Sequence, residues 1–221
     1  MTSASARPLL GCAWLGPPPG AAPLTIALGD RDHRVDPWLR PLCADFSFLV
    51  LEAPRGADPR RYGVPNRSGD WYLGDARGIE PCSFGLALLA LERLLLRERE
   101  RGADPPVLLG VGQGATLCLA LARCWAEALS GVIAIGGQLA ELPEGAIQEE
   151  PLMGLPVLLL DRAAPAEGDP RASDRLRAHL ADSGGRVTLA RNSDAPGSAE
   201  PISSWLAHVT ATRPCDPVRA T

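Results

Sequence analysis

Short apolar runs alternate with longer stretches in which apolar and polar residues recur at helical spacing. The apolar runs fall at residues 9–13, 24–28, 46–51, 107–110, 131–135, 156–160 and 187–190, and each is short enough for a strand. Two of them, Gly131-Val-Ile-Ala-Ile135 and Pro156-Val-Leu-Leu-Leu160, are continuous rather than alternating, as strands covered on both faces must be. Helical spacing occupies 37–44, 83–100, 113–129, 170–183 and 199–211. In the second of these, Leu86, Leu89 and Leu94 are expected on the apolar side, with Arg97 to Arg101 as a solvated end. The fourth is expected to start at Pro170, a favoured first-turn residue, and to stop at Gly184-Gly185. Each strand-plus-helix unit takes about 20 to 30 residues, so the pattern predicts an α/β chain with a mostly parallel sheet and helices on both faces.

Residues 53–81 break the alternation. They carry Arg, Gly, Asp and Pro around Trp71 and Tyr72 and read as a long loop, and loops of that length tend to be functional. Both ends, 1–7 and 212–221, lack periodicity. The expectation is one domain over 1–221, with its core at about 8–211.

Composition narrows the chemistry. The chain has 221 residues, and all 22 of its basic residues are Arg. Without Lys there is neither a Schiff-base lysine nor a phosphate loop of the G-x-x-x-x-G-K type. A net charge of −4 argues against a nucleic-acid partner. No apolar run approaches the ~20 residues of a membrane span, and the run before Pro17-Pro18-Pro19 is too short for an expected leader. Six Cys lie scattered with no C-x-x-C pair, which reads as small buried hydrophobes in a reducing, cytoplasmic setting. Three His at 33, 179 and 208 pair with no Cys or His at ligand spacing, so neither a metal nor another cofactor is expected.

The most informative segment is Val107-Leu-Leu-Gly-Val-Gly-Gln-Gly-Ala115. A strand runs into Gly110-x-Gly112-x-Gly114 and on into an apolar helix. This is the layout of a nucleophile elbow, G-x-S-x-G, whose outer glycines let strand and helix approach closely. Gln113 would begin the helix and aim its backbone N–H at a developing oxyanion. A dinucleotide loop fits less well, because the motif lies mid-chain and positions 115 and 117 are Ala and Leu where G-x-G-x-x-G needs its third glycine.

These residues resemble the elbow of the phospholipase/carboxylesterase family of α/β-hydrolases, which includes acyl-protein thioesterases and lysophospholipases. Further segments resemble that family in the same order. Leu24 to Gly29 is similar to its strand entering the oxyanion loop, Ala53-Pro-Arg-Gly56 to its A-P-R-G turn, and Asp70-Trp-Tyr72 to its W-Y/F loop. Residues 129–135 are similar to the strand after the elbow helix, and 155–160 to the strand before the catalytic acid. The resemblance spans about 24–206 and implies an α/β-hydrolase fold.

It also implies a triad that this chain lacks. Gly112 stands at the nucleophile position, Leu28-Gly29 replaces His-Gly, and Pro165 falls at the acid position, with Asp161 and Asp169 as nearby substitutes. Asn192 falls at the base position, and His208, the remaining His beyond Gly184, lies in the terminal helix. Serine hydrolysis is not expected. Three readings stay open: a non-hydrolytic protein with a pocket for an apolar or acyl-type small molecule; a lyase, isomerase or cyclase in the same crevice; and a carboxylesterase or thioesterase whose Ser has been removed. Leu28, Gly29, His33, Trp71, Tyr72 and Gln113 are the candidate ligand-binding residues. Trp71 and Tyr72 would line a pocket or pin the loop, His33 would face the site or solvent, and Asp161 would face the crevice, pair with Arg162 or cap the next segment. The oligomeric state is left open, a homodimer included.

Overall fold

A computed structural model describes residues 11–18, 22–30, 34–53, 69–75, 78–140, 150–161, 171–191 and 199–212. Among them the strands are β1 (Gly11–Leu15), β2 (Leu24–Leu28), β3 (Ser47–Glu52), β4 (Gly74–Asp75), β5 (Gly78–Ile79), β6 (Val107–Val111), β7 (Gly131–Ile135), β8 (Pro156–Asp161) and β9 (Arg186–Arg191). The helices are α1 (Asp36–Leu39), α2 (Pro81–Glu100), α3 (Gln113–Cys124), α4 (Ala172–Asp182) and α5 (Glu200–Ala211). Short 3₁₀ turns extend α1 over Arg40–Leu42 and follow α3 at Ala126–Ala128.

Seven strands form one sheet in the order β1-β3-β2-β6-β7-β8-β9. Only the β1–β3 pairing is antiparallel; the others run parallel. Every residue of β6 and β7 is buried, which explains why these strands are continuously apolar. Alternation along them then feeds two cores. Leu108, Val132, Val157 and Leu159 pack under α2, α3 and α4, whereas Leu109, Ile133, Leu158 and Leu160 pack against α1 and α5.

Three expectations change. In α2 the buried face is Phe84, Ala87, Leu88, Leu91 and Leu95, while Leu86 is 56% and Leu89 39% exposed. A helix with seven leucines offers several apolar stripes, and the one containing aromatic Phe84 wins the core, where it meets Tyr72 edge-on at 5.1 Å. The 113–129 helix stops at Cys124, because Trp125 takes an extended φ of −151° and the chain restarts as a 3₁₀ turn. The loop at 53–81 carries a small hairpin, β4–β5. Its stretch 54–68 lies outside the described residues.

The cysteines divide. Cys118 is buried, and desolvation pushes its thiol far up. Cys12 on the edge strand and Cys82 in the first turn of α2 are exposed, contrary to the buried reading. No helix among the described residues is long and apolar enough to cross a membrane.

Candidate functional site

The parallel strands all end on one side, and backbone bonds carry the ladder past them. Gly112 N–H donates to Ile135 O and Gly136 N–H to Leu160 O, both at 3.0 Å. Gly112, Gly136 and Asp161 thus stand on neighbouring strands at the carboxyl edge, where open α/β sheets hold their ligands.

Gly112 is the N-cap of α3, with φ 60° and ψ −119°. Side-chain-bearing residues rarely take this angle, which belongs to a strained elbow. Its neighbours show why the turn needs glycine. A Cβ on Gly110 would lie 2.4 Å from the backbone N of Ala115, and one on Gly114 would lie 2.3 Å from Leu28 O. The strand-to-helix reversal is therefore packed backbone against backbone, and Gln113 opens the helix as expected.

The close approach of α3 to the end of β2 decides what the helix N-terminus meets. Leu28 pairs with Gly110, so the residues just after β2 arrive beside the elbow. Gln113 N–H donates to the Asp30 carboxylate at 2.8 Å, bridging residues 83 positions apart. The donor expected to face an oxyanion is held by a carboxylate of the chain itself. Such a bond, from a helix N-terminal N–H to a charged acceptor, is favoured by both charge and dipole.

The segment around Trp71 completes the arrangement. Trp71 Nε1 donates to Gly29 O at 2.6 Å, and Trp71 N–H donates to Gln113 Oε1 at 2.8 Å. Gln113 Nε2 returns a bond to Tyr72 O at 3.3 Å. Trp71 and Tyr72 are 2% and 7% exposed, so both rings are core residues that pin the loop to the elbow. Burial pushes the Tyr72 phenol above its ordinary range; a Thr116 hydrogen bond pulls it back, and the Asp30 charge adds to the rise.

Asp161, at the end of β8, accepts a hydrogen bond from Ser173 Oγ in the first turn of α4. The carboxylate ties the strand end to the following helix, whose N-cap is Arg171 and carries no side-chain capping bond. His33, Asp169 and Asn192 lie outside the described residues. His208 is exposed on α5.

An open groove of about 390 Å³ lies at the ends of β2 and β3 and reaches the elbow through Asp30, its lining including Asp30, Arg34, Val35, Asp36, Val50 and Glu52. Arg34 is paired to Asp36 at 2.6 Å. Its described charges are three carboxylates and one guanidinium. A second cavity of about 370 Å³ opens between the end of α2 and Trp125, next to the start of β6 and so at the opposite edge of the sheet.

Asp30 is the residue that sequence reasoning missed. The pattern did carry a signal: an acidic residue two positions after a strand that neighbours the elbow strand. The order of the sheet was needed to make that adjacency visible.

No family model matches the sequence, and no curated protein matches it. Solved structures do match the fold. A carboxylesterase from Bacillus cereus superposes with a TM-score of 0.71 at 16% identity, covering 92% of this chain and 96% of that one. A carboxylesterase from Mesorhizobium loti gives 0.71 at 17% identity, covering 91% and 96%. A phospholipase/carboxylesterase from Dyadobacter fermentans gives 0.66 at 14% identity, covering 90% and 96%. The parallel sheet, the glycine elbow and these superpositions together define an α/β-hydrolase fold.

Proposed function

We propose that this is an α/β-hydrolase-fold protein of the phospholipase/carboxylesterase type that does not hydrolyse esters and uses its crevice to bind an acyl-type small molecule. One observation carries the reading: the residue at the crest of the elbow, in the backbone angle that elsewhere presents an attacking hydroxyl, is Gly112. Without that oxygen no acyl-enzyme forms. The aligned base position is Asn192, which offers no imidazole for proton transfer. Whatever rate survives such losses comes from binding and oxyanion stabilisation alone, and here Asp30 already occupies the oxyanion donor.

The direct test is turnover of p-nitrophenyl butyrate and hexanoate by the purified chain. The expected result is no release of p-nitrophenolate above the buffer rate, with non-hydrolysable ether analogues of these two esters raising the melting temperature. Vigorous turnover that a pocket-filling inhibitor abolishes would sink the proposal.

A second reading has its own observation. The groove at the ends of β2 and β3 is lined by Asp30, Asp36 and Glu52, with Arg34 nearby, a set suited to proton transfer in a lyase or isomerase. It requires Asp30→Asn to abolish conversion of whatever substrate a metabolite screen returns. Unchanged conversion in that variant removes it.

A further inference from the structure

We infer that Asp30 is a built-in stand-in for the oxyanion: its carboxylate fills the anion position at the elbow and closes it to any charge that develops on a bound carbonyl. This inference holds whether or not the crevice takes an acyl ligand.

Three features on different elements converge on it. The bond itself is a charge-assisted contact of 2.8 Å between the Asp30 carboxylate and the first N–H of α3. The acceptor is held in place, because the preceding residue is clamped: Gly29 O takes the Trp71 indole N–H at 2.6 Å, and Trp71 in turn is fixed to Gln113 Oε1. The end of the β2 segment and Gln113 are therefore tied together twice, Asp30 directly and Gly29 through Trp71. Third, Asp30 shares its groove with Asp36 and Glu52, and Arg34 in the same lining is paired with Asp36. A second anion approaching the first N–H of α3 would meet an occupied donor.

The consequence reaches beyond the missing hydroxyl. In a working elbow the N–H after the nucleophile stabilises the tetrahedral intermediate, and one such donor is worth on the order of 10²- to 10³-fold in rate. Here the donor is spent on an internal carboxylate. Reinstalling a nucleophile at position 112 would then leave acyl transfer slow until the charge at position 30 is also removed.

Two measurements test this. The first follows the Gln113 backbone amide in ¹H–¹⁵N spectra of the full chain. Asp30→Asn keeps the shape but replaces a charged acceptor by a neutral one, so the amide proton should move upfield. An amide proton that stays in place overturns the inference outright.

The second uses Gly112→Cys as a reporter, read by mass spectrometry of its own peptide because Cys12 and Cys82 are exposed. The installed thiolate attacks the carbonyl of p-nitrophenyl acetate, p-nitrophenolate leaves, and a thioester remains. Alkylation of the same thiolate by iodoacetamide releases iodide and builds no oxyanion. The ratio of acylation to alkylation cancels changes in thiol exposure and ionisation. Adding Asp30→Ala should raise that ratio by on the order of 10²-fold, the low end of what one oxyanion donor supplies. Asp30→Asn serves in its place if the alanine variant does not fold. A ratio that the second substitution leaves unchanged overturns the inference, and a thiol inert to both reagents hands the decision to the Gln113 amide.

Discussion

The backbone N–H of Trp71 donates to Gln113 Oε1 at 2.8 Å, a bond between a loop and the first residue of the elbow helix, 42 positions apart. Gln113 also accepts from Tyr72 N–H at 3.5 Å and donates to Tyr72 O at 3.3 Å, so one side chain satisfies most of the local backbone polarity of that loop. Gln113→Ala leaves these groups without partners next to two buried rings. The expected cost is about 1–3 kcal/mol, because unmade buried hydrogen bonds cost their full desolvation. Gln113→Glu keeps the acceptor for Trp71 but loses the donor to Tyr72, and should fall between Ala and wild type. Urea unfolding followed by tryptophan fluorescence measures both; an alanine variant as stable as wild type would deny the clamp.

The elbow glycines should separate from a superficially similar glycine in α2. Gly110→Ala and Gly114→Ala each drive a methyl to within 2.4 Å of fixed backbone, which has no flexible end to move aside. Each is expected to cost about 3 kcal/mol or more, on the scale of overpacked core sites. Gly85 is exposed within α2, and its added Cβ meets nothing within 4 Å. Gly85→Ala should stabilise by about 0.5–1 kcal/mol through helix propensity and a less free unfolded chain. Equal effects at positions 85 and 114 in a denaturation series would contradict the packing described for the elbow.

Gly112→Ser tests the nucleophile position separately from the rest of the site. At φ 60° a serine carries backbone strain of order 1–3 kcal/mol, so the variant should be less stable than wild type by about that amount. If the proposed reading holds and Asn192 stands at the base position, its p-nitrophenyl ester turnover should stay at the buffer rate, since an unactivated hydroxyl is a weak nucleophile and the neighbouring donor is bound to Asp30. Esterase activity comparable to that of a working serine hydrolase would show that a base is in reach, and would favour the reading in which the native Ser has been removed.

Much of the fold was legible because burial on both faces forces a continuous apolar run, and such runs mark parallel strands wherever they occur. Residues 24–28 and 131–135 were read with their observed bounds, and the elbow was read from Gly110, Gly112 and Gly114 because backbone contact there admits no side chain. The face of α2 was not legible. With leucines at 86, 88, 89, 91, 94, 95 and 96, periodicity offers competing stripes, and only the position of Phe84 against Tyr72 selects one. The site was half legible for a related reason. Gln113 and Gly112 announce themselves inside one motif, whereas the Asp30–Gln113 bond depends on β2 lying beside β6, an adjacency that no local pattern encodes. The roles of Trp71 and Tyr72 likewise turned on burial, a property of the assembled layers.

The start of α2 supplies a pH-dependent prediction. Glu80 is the N-cap, and its carboxylate accepts from Cys82 N–H at 3.0 Å and Ser83 N–H at 2.6 Å. Partial burial alone would raise its pKa, but these hydrogen bonds outweigh it and hold the carboxyl below the usual glutamate range. A carboxylate depressed in the folded state stabilises it fully above the unfolded value of about 4.3 and progressively less as pH falls through the lower folded value. Wild type should therefore lose stability on acidification from above pH 4.3 into the range below it. Glu80→Gln removes the charge while keeping an oxygen acceptor, and should cost about 0.5–2 kcal/mol at neutral pH, the usual worth of an N-cap. The gap between the two proteins should close in acid, where the wild-type side chain is also neutral. Thermal melts of both across that window measure it, and a gap that stays constant down to the lowest pH would mean that the cap does not act through its charge.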